Sequence, residues 1–222
     1  HIYKTLIADR IIGSHHPDYL YPVRTRRFRR VVRAPKVYIQ HGIMGTKYMA
    51  NFYGKAAHGF ETDLVLVSSE REKKIIVEDF GYDSGEVCVT GLSRFDALFA
   101  EDVPAKRQIL IMPTWRDWLN DADTYRASQY HARWSQLLNH PRLTQIAQEH
   151  GLEVVFCLHP NMQRYTSSFE QTSVPVRVIS QGEAEVQRLL KESMMLVTDF
   201  SSVGFDFALL HKPVVYYQFD RQ

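Results

Sequence analysis

Short apolar runs in this chain stop at polar turns that open into helical patterns. Residues 194–197 are apolar and end at Thr198-Asp199-Phe200-Ser201-Ser202, after which Val203, Phe207 and Leu210 recur at helical spacing. Three upstream runs share the design: 37–40 leads into His41-Gly42, 109–112 into Pro113-Thr114-Trp115-Arg116-Asp117, and 154–158 into His159-Pro160. Further strands are predicted at 64–67, 87–89, 176–180 and 213–217. Helices are predicted from Ser68 or Ser69 to Gly81, up to His140, from Pro141 to Gly151, over 183–192 and over 202–211. Ser69 with Glu72 has capping-box spacing, Pro141 opens a helix, and Gly81 and Gly151 close two others. Strands separated by helices predict the α/β class with parallel βαβ units.

Residues 93–107, with Pro104 and mixed charge, read as a link. The chain then divides into an N-terminal lobe, 1–100, and a C-terminal lobe, 101–222. It begins with His1 and ends just after a strand, so each lobe is expected to be a truncated piece of a longer protein. No internal repeat or low-complexity segment is visible.

Open α/β sheets bind ligands at the carboxyl ends of their strands. Here those ends carry His41, Thr114, Arg116, His159, Thr198, Asp199, Ser201 and Ser202. A strand feeding a polar turn and a helix start offers free N–H groups and hydroxyls, which suit an anion and make phosphate the first candidate ligand. His41, beside Gly42, is either a general base close to a substrate or a loop histidine bonded to its neighbours. Arg116 could grip phosphate oxygens as a bidentate fork. Trp115 and Trp118 are expected in the core. Asp199 either binds a hydroxyl or caps the following helix, Ser201 and Ser202 could cap and bind phosphate together, and Asp206 is expected to serve a neighbouring backbone or arginine group.

Charge and cysteine content narrow the classes. Lys plus Arg number 27 against 25 Asp plus Glu, a balance that does not predict nucleic-acid binding. The excess is local: Arg24, Arg26, Arg27, Arg29, Arg30 and Arg33 fall within ten residues, as a solvated helix face or as a basic patch for anionic lipid headgroups or a polyphosphate chain. Cys88 and Cys157 lie in apolar runs and are expected to be buried reduced thiols. No run reaches the roughly 20 apolar residues of a membrane span.

The ordered set YIQHGIMGTKYM, VTGLSRFD, ILIMPTWRDWL, FCLHPNM and LVTDFSSVGFDFALLHKPVVYY resembles the CDP-glycerol glycerophosphotransferase family, the teichoic-acid and capsule polymerases, over about residues 10–217. The resemblance implies a GT-B-like fold, two Rossmann-like lobes facing a cleft, with nucleotide held mainly by the C-terminal one. It implies transfer of a polyol phosphate from a CDP-activated donor to the terminal hydroxyl of a lipid-linked polyol-phosphate or polysaccharide acceptor, with release of CMP. His41 then falls on the family's HG histidine, a base or acceptor-orienting residue, and His159 on its HP histidine beside the donor diphosphate. Thr114 and Arg116 fall at the TWR position, and Thr198, Asp199, Ser201 and Ser202 on the TDxSS motif at the phosphates. Peripheral association with the cytoplasmic face of a bacterial membrane is expected, with the arginine patch on the acceptor or membrane side. No cofactor is expected to be required; no carboxylate cluster points to a metal site, and Mg²⁺ assistance is left open. His211 stands where many relatives carry an acidic residue. The rival readings are a sugar-nucleotide glycosyltransferase or UDP-GlcNAc epimerase of the same architecture, and a non-catalytic domain that binds an anionic polymer.

Overall fold

The computed structural model describes the chain apart from residues 16–19, 21, 24, 46–47, 58–59, 170–171, 173–174, 181 and 221–222, with Arg26 described in its backbone only. Two compact units emerge, His1–Asp96 and Ala97–Gln222.

The first unit is built on strands β1 (Ile11–Gly13), β2 (Lys36–Tyr38), β3 (Leu64–Val67) and β4 (Val87–Val89), all parallel and in the order β1-β2-β3-β4. Helices α1 (Ile2–Leu6), α2 (Arg26–Val31), α3 (Ala50–Tyr53) and α4 (Glu70–Glu78) connect or precede them. Along β3, Val65 and Val67 are buried while Leu64 and Leu66 are less so, the period-two signature of a strand with unequal faces. They pack with Tyr38, Ile76, Phe80 and Val87 into the unit's main core. Ser69 caps α4 by accepting from the Glu72 N–H at 3.2 Å, as its spacing predicts.

The second unit contains β5 (Gln108–Met112), β6 (Glu153–Cys157), β7 (Val176–Ile179), β8 (Met195–Thr198) and β9 (Val214–Tyr216), parallel throughout and ordered β7-β6-β5-β8-β9. Central strand β5 is buried at every residue, the continuous apolar pattern of a strand covered on both faces. Between the strands lie α6 (Ala122–Arg126), α7 (Gln129–Leu138), α8 (Pro141–His150), a 3₁₀ segment Pro160–Phe169, α9 (Val186–Glu192) and α10 (Val203–Leu209). Pro141 occupies the first turn of α8, and Gly151 ends it in the left-handed region at φ 57°. Trp134, Tyr125, Phe156, Leu138 and Phe169 fill the core between α7 and the sheet.

Several expectations need correction. The presumed link is partly helical, since α5 (Ser93–Phe99) crosses the division between the units and buries Leu98. Cys157 is buried, which pushes its thiol up to about 11, but Cys88 is exposed because β4 closes one edge of its sheet and turns that position outward. Trp115 packs against the core, whereas Trp118 is 54% exposed.

Candidate functional site

In the second unit the chain leaves β5 and next returns beside it as β6 on one flank, then as β8 on the other. The carboxyl ends of β5 and β8 therefore meet where the strand order reverses, the place at which open α/β sheets bind ligands. Thr114 and Arg116 follow β5, Thr198 ends β8 and Asp199 follows it, and all four are buried. The Thr198 hydroxyl donates to the Met112 carbonyl at 2.6 Å, tying the two strand ends together. Asp199 accepts from the Thr114 N–H (2.8 Å) and the Phe200 N–H (2.7 Å) on Oδ1, and from Arg116 Nη2 (2.8 Å) on Oδ2. Arg116 also grips Asp220 through Nε at 3.0 Å and Nη2 at 2.9 Å, and donates from Nη1 to the Thr114 carbonyl at 2.8 Å. Its guanidinium lies 5.2 Å from the Tyr130 ring centroid and 5.5 Å from that of Phe200. Burial opposes the charge on Arg116, but the bonds to Asp220 and the attraction of Asp199 outweigh it and hold the proton more firmly than usual.

This geometry revises the arginine's expected role. Four of its donors already have internal acceptors and its side chain is shut off from solvent, so Arg116 braces the loops after β5, β8 and β9 instead of forking a phosphate. Asp199 does the same from the other side. Ser201 and Ser202 are only partly buried. Ser201 Oγ accepts weakly from the Val203 N–H at 3.4 Å, while Ser202 makes no side-chain cap to α10. Among the described residues their own N–H groups have no protein acceptor, so this turn is the open part of the motif.

His159 follows β6, next to β5 in the sheet, and stacks on Trp115 with ring centroids 5.8 Å apart. Its Nδ1 accepts from the Asn161 N–H at 3.2 Å, which puts the proton of the neutral ring on Nε2. His159 is therefore a donor, not an acceptor, at Nε2.

His41 carries the opposite tautomer. Its Nδ1 donates to the Ser14 carbonyl at 2.8 Å, leaving Nε2 as an acceptor without a protein partner among the described residues. The ring stacks on His15, centroids 4.6 Å apart and planes 4° from parallel, and lies 6.3 Å from the Tyr53 ring. Packing lowers its pKa, and the Ser14 hydrogen bond only partly offsets this. The backbone that aims it is unusual: Gln40 takes the left-handed conformation at φ 58°, costly for a non-glycine residue. Gln40 is buried and held by a 2.6 Å bond from Nε2 to the Leu66 carbonyl. Downstream, the Met44 N–H donates to Glu72 Oε1 at 2.7 Å, and Glu72 Oε2 accepts from the Ser68 N–H and hydroxyl, each at 2.7 Å. Glu72, predicted only as a helix cap, thus pins the loop that follows His41.

The sequence model of the CDP-glycerol:poly(glycerophosphate) glycerophosphotransferase family matches residues 36–222. The chain belongs to that family. It is 28% identical to the minor teichoic acid biosynthesis protein GgaB of Bacillus subtilis (strain 168), covering 100% of this chain and 25% of GgaB. It is likewise 28% identical to the teichoic acid ribitol-phosphate polymerase TarK of Staphylococcus aureus (strain NCTC 8325 / PS 47), covering 96% of this chain and 43% of TarK. The chain thus spans less than half the length of these relatives. Among solved structures, the wall teichoic acid polymerase TagF aligns with a TM-score of 0.59 at 17% identity, over 88% of this chain and 53% of that one. The UDP co-structure of S. aureus MnaA aligns with a TM-score of 0.57 at 14% identity, over 93% and 56%. These likenesses establish a GT-B-like fold for this family member.

The residues predicted from the sequence sit unevenly. In the second unit Thr114, Arg116, Thr198 and Asp199 form one buried network, with Ser201 and Ser202 on its continuation and His159 on the next strand end. His41 is placed by the first unit. Arg27 and Arg30, exposed on α2, and exposed Arg33 just after it form a basic strip, while Arg29 is half-buried. The Arg26 side chain and all of Arg24 lie outside the described residues. Sequence reasoning missed Glu72 as an anchor, His15, and Asp220, whose only signal was an acidic residue shortly after the last strand. No group of three or more His, Cys, Asp or Glu side chains suited to a metal occurs among the described residues, and none of their helices is long and apolar enough to cross a membrane.

Proposed function

We propose that this chain is the transferase part of an enzyme that moves a polyol phosphate from a CDP-activated donor to the terminal hydroxyl of a lipid-linked or polymeric acceptor in teichoic acid synthesis. The observation that carries the reading, beyond family membership, is the opposed tautomers of the two motif histidines. His41 Nε2 accepts, so it takes the proton from the acceptor hydroxyl as that oxygen attacks the donor phosphorus. His159 Nε2–H donates, so it stabilises the charge that collects on the diphosphate as the P–O bond to CMP breaks. Ser201, Ser202 and their N–H groups hold phosphate oxygens beside it.

In this reading Thr114, Arg116, Thr198 and Asp199 shape the donor site from within, and exposed Arg27, Arg30 and Arg33 draw the enzyme to an anionic acceptor or to the cytoplasmic face of the membrane. Where Mg²⁺ assists, it would act on the donor's own phosphates.

The test is CMP release by the full-length enzyme from CDP-glycerol and CDP-ribitol, with and without membrane-bound acceptor. Acceptor-dependent release that His41→Ala lowers at least a hundredfold, with nucleotide binding retained, supports the assignment. Undiminished release by that variant removes His41 as the base, and stabilisation by UDP-sugars in place of cytidine ligands would make the enzyme a glycosyltransferase or epimerase.

A further inference from the structure

A second imidazole lies flat against that of His41. His15 follows β1 and is exposed, yet its ring is 4° from parallel to that of His41, at a centroid separation of 4.6 Å. Its own orientation is set locally, by a 3.1 Å hydrogen bond between Nδ1 and the Ser14 hydroxyl. Ser14 therefore fixes both rings, His41 through its carbonyl and His15 through its side chain. An exposed imidazole bonded through a single nitrogen would otherwise rotate about its side-chain torsions.

We propose that His15 is a positioning residue for His41, a flat platform that keeps the His41 ring in one plane and one tautomer with Nε2 open to the acceptor hydroxyl. The inference rests on the reading of His41 as the base. Every described group around that ring fits the role. The Ser14 carbonyl accepts from Nδ1–H, Tyr53 from α3 flanks the ring at a tilt of 58°, and Arg94 from α5 donates to the His41 carbonyl, fixing its backbone. No carboxylate among the described residues is bonded to His41; the Ser14 carbonyl alone in this set favours its protonated form, and burial outweighs it. His15 and Arg94 both act electrostatically to lower the His41 pKa, which keeps the base free.

The stack separates two effects that different variants remove. His15→Phe keeps a flat ring and deletes the ionisable group, whereas His15→Ala deletes both. On the full-length enzyme, His15→Ala should lower kcat about tenfold or more with the KM for the CDP-donor little changed, because the base loses its orientation while donor contacts remain. His15→Phe should recover kcat to within about threefold of wild type, with the acid limb of its pH profile displaced upward as a neighbouring charge is lost.

Nitrogen-15 spectra of histidine-labelled protein give a readout independent of turnover. The His41 signals should report Nδ1–H as the single tautomer in wild type and His15→Phe, and averaged tautomers in His15→Ala. A His15→Ala enzyme with wild-type kcat and an unchanged tautomer would overturn the proposal. So would a His15→Phe enzyme as poor as the alanine variant. If His41→Ala itself stays active, the base reading has failed, and the spectra still decide whether His15 orders the ring.

Discussion

Replacing Arg116 by methionine separates a bracing arginine from a phosphate-binding one. The substitution keeps much of the aliphatic volume but removes the donors that reach Asp199, Asp220 and the Thr114 carbonyl. It strands the Asp199 carboxylate, whose side chain is 0% exposed, with only two backbone N–H partners. Breaking a buried pair from one side costs about 3–5 kcal/mol, most of it from the uncompensated charge. All three tryptophans, Trp115, Trp118 and Trp134, lie in the second unit, so tryptophan fluorescence follows its unfolding selectively. With a urea dependence of roughly 2 kcal/mol per molar, the midpoint of that transition should fall by about 2 M. Adding Asp199→Asn should restore about half of the loss, because an amide oxygen can still accept from Thr114 and Phe200 while the stranded charge is gone. If Arg116→Met instead unfolds at the wild-type midpoint and loses only cytidine-nucleotide binding, the bracing role is refuted and the arginine is a phosphate contact after all.

Other perturbations test the first unit. Glu72→Gln places an amide NH₂ against either the Met44 N–H or the Ser68 N–H, so it should cost about 2 kcal/mol by chemical denaturation and lower kcat through the loosened loop after His41; wild-type values for both would show that Glu72 does not hold that loop. Because folding depresses the His41 pKa, its contribution to stability is present above the unfolded value near 6.5 and fades as pH falls toward the folded one. The acid limb of kcat/KM should accordingly lie below 6.5, and a limb at or above it would contradict a partly buried imidazole held neutral. Native protein should react at Cys88 alone with a thiol reagent, with Cys157 modified only after unfolding; equal rates for both would contradict the outward face of β4.

The sheet framework was readable because its signals are local. Run 64–67 became β3 with the predicted bounds, and Pro141 and Gly151 delimited α8, since apolar period and cap chemistry do not depend on distant residues. Some of the shortest elements of the first unit were not readable. α1 and α3 bury no residue of their own, and β1 has three residues, so neither periodicity nor caps stood out. The candidate residues were legible as strand-end positions, but which of them face a ligand was not. That depends on pairing across the chain: Asp220 reaches Arg116 over 104 positions, and Glu72 reaches Met44 over 28. Burial of Cys88 was misjudged for the same reason, because an edge strand and a central strand share one apolar pattern.

The motif at 198–202 shows how one short sequence can serve two purposes. Thr198 ends β8 and Asp199 follows it, and each is spent on β5 or the loop after it: the hydroxyl on Met112, the carboxylate on Thr114 and Arg116. Past Phe200 the chain turns outward, and Ser201 and Ser202 are partly exposed, their N–H groups without a protein acceptor among the described residues. Substitutions in the two halves should therefore fail differently. Changes at Thr198 or Asp199 should lower stability first and donor binding only as a consequence, because a buried hydrogen-bonded group left without its partner is costly wherever it lies. Alanine at Ser201 or Ser202 should leave the urea midpoint nearly unchanged and weaken cytidine-nucleotide binding. In the segment 198–202 a rigid strand end then sets where the open serine turn stands, and activity alone cannot separate the two halves; stability and binding measured side by side can.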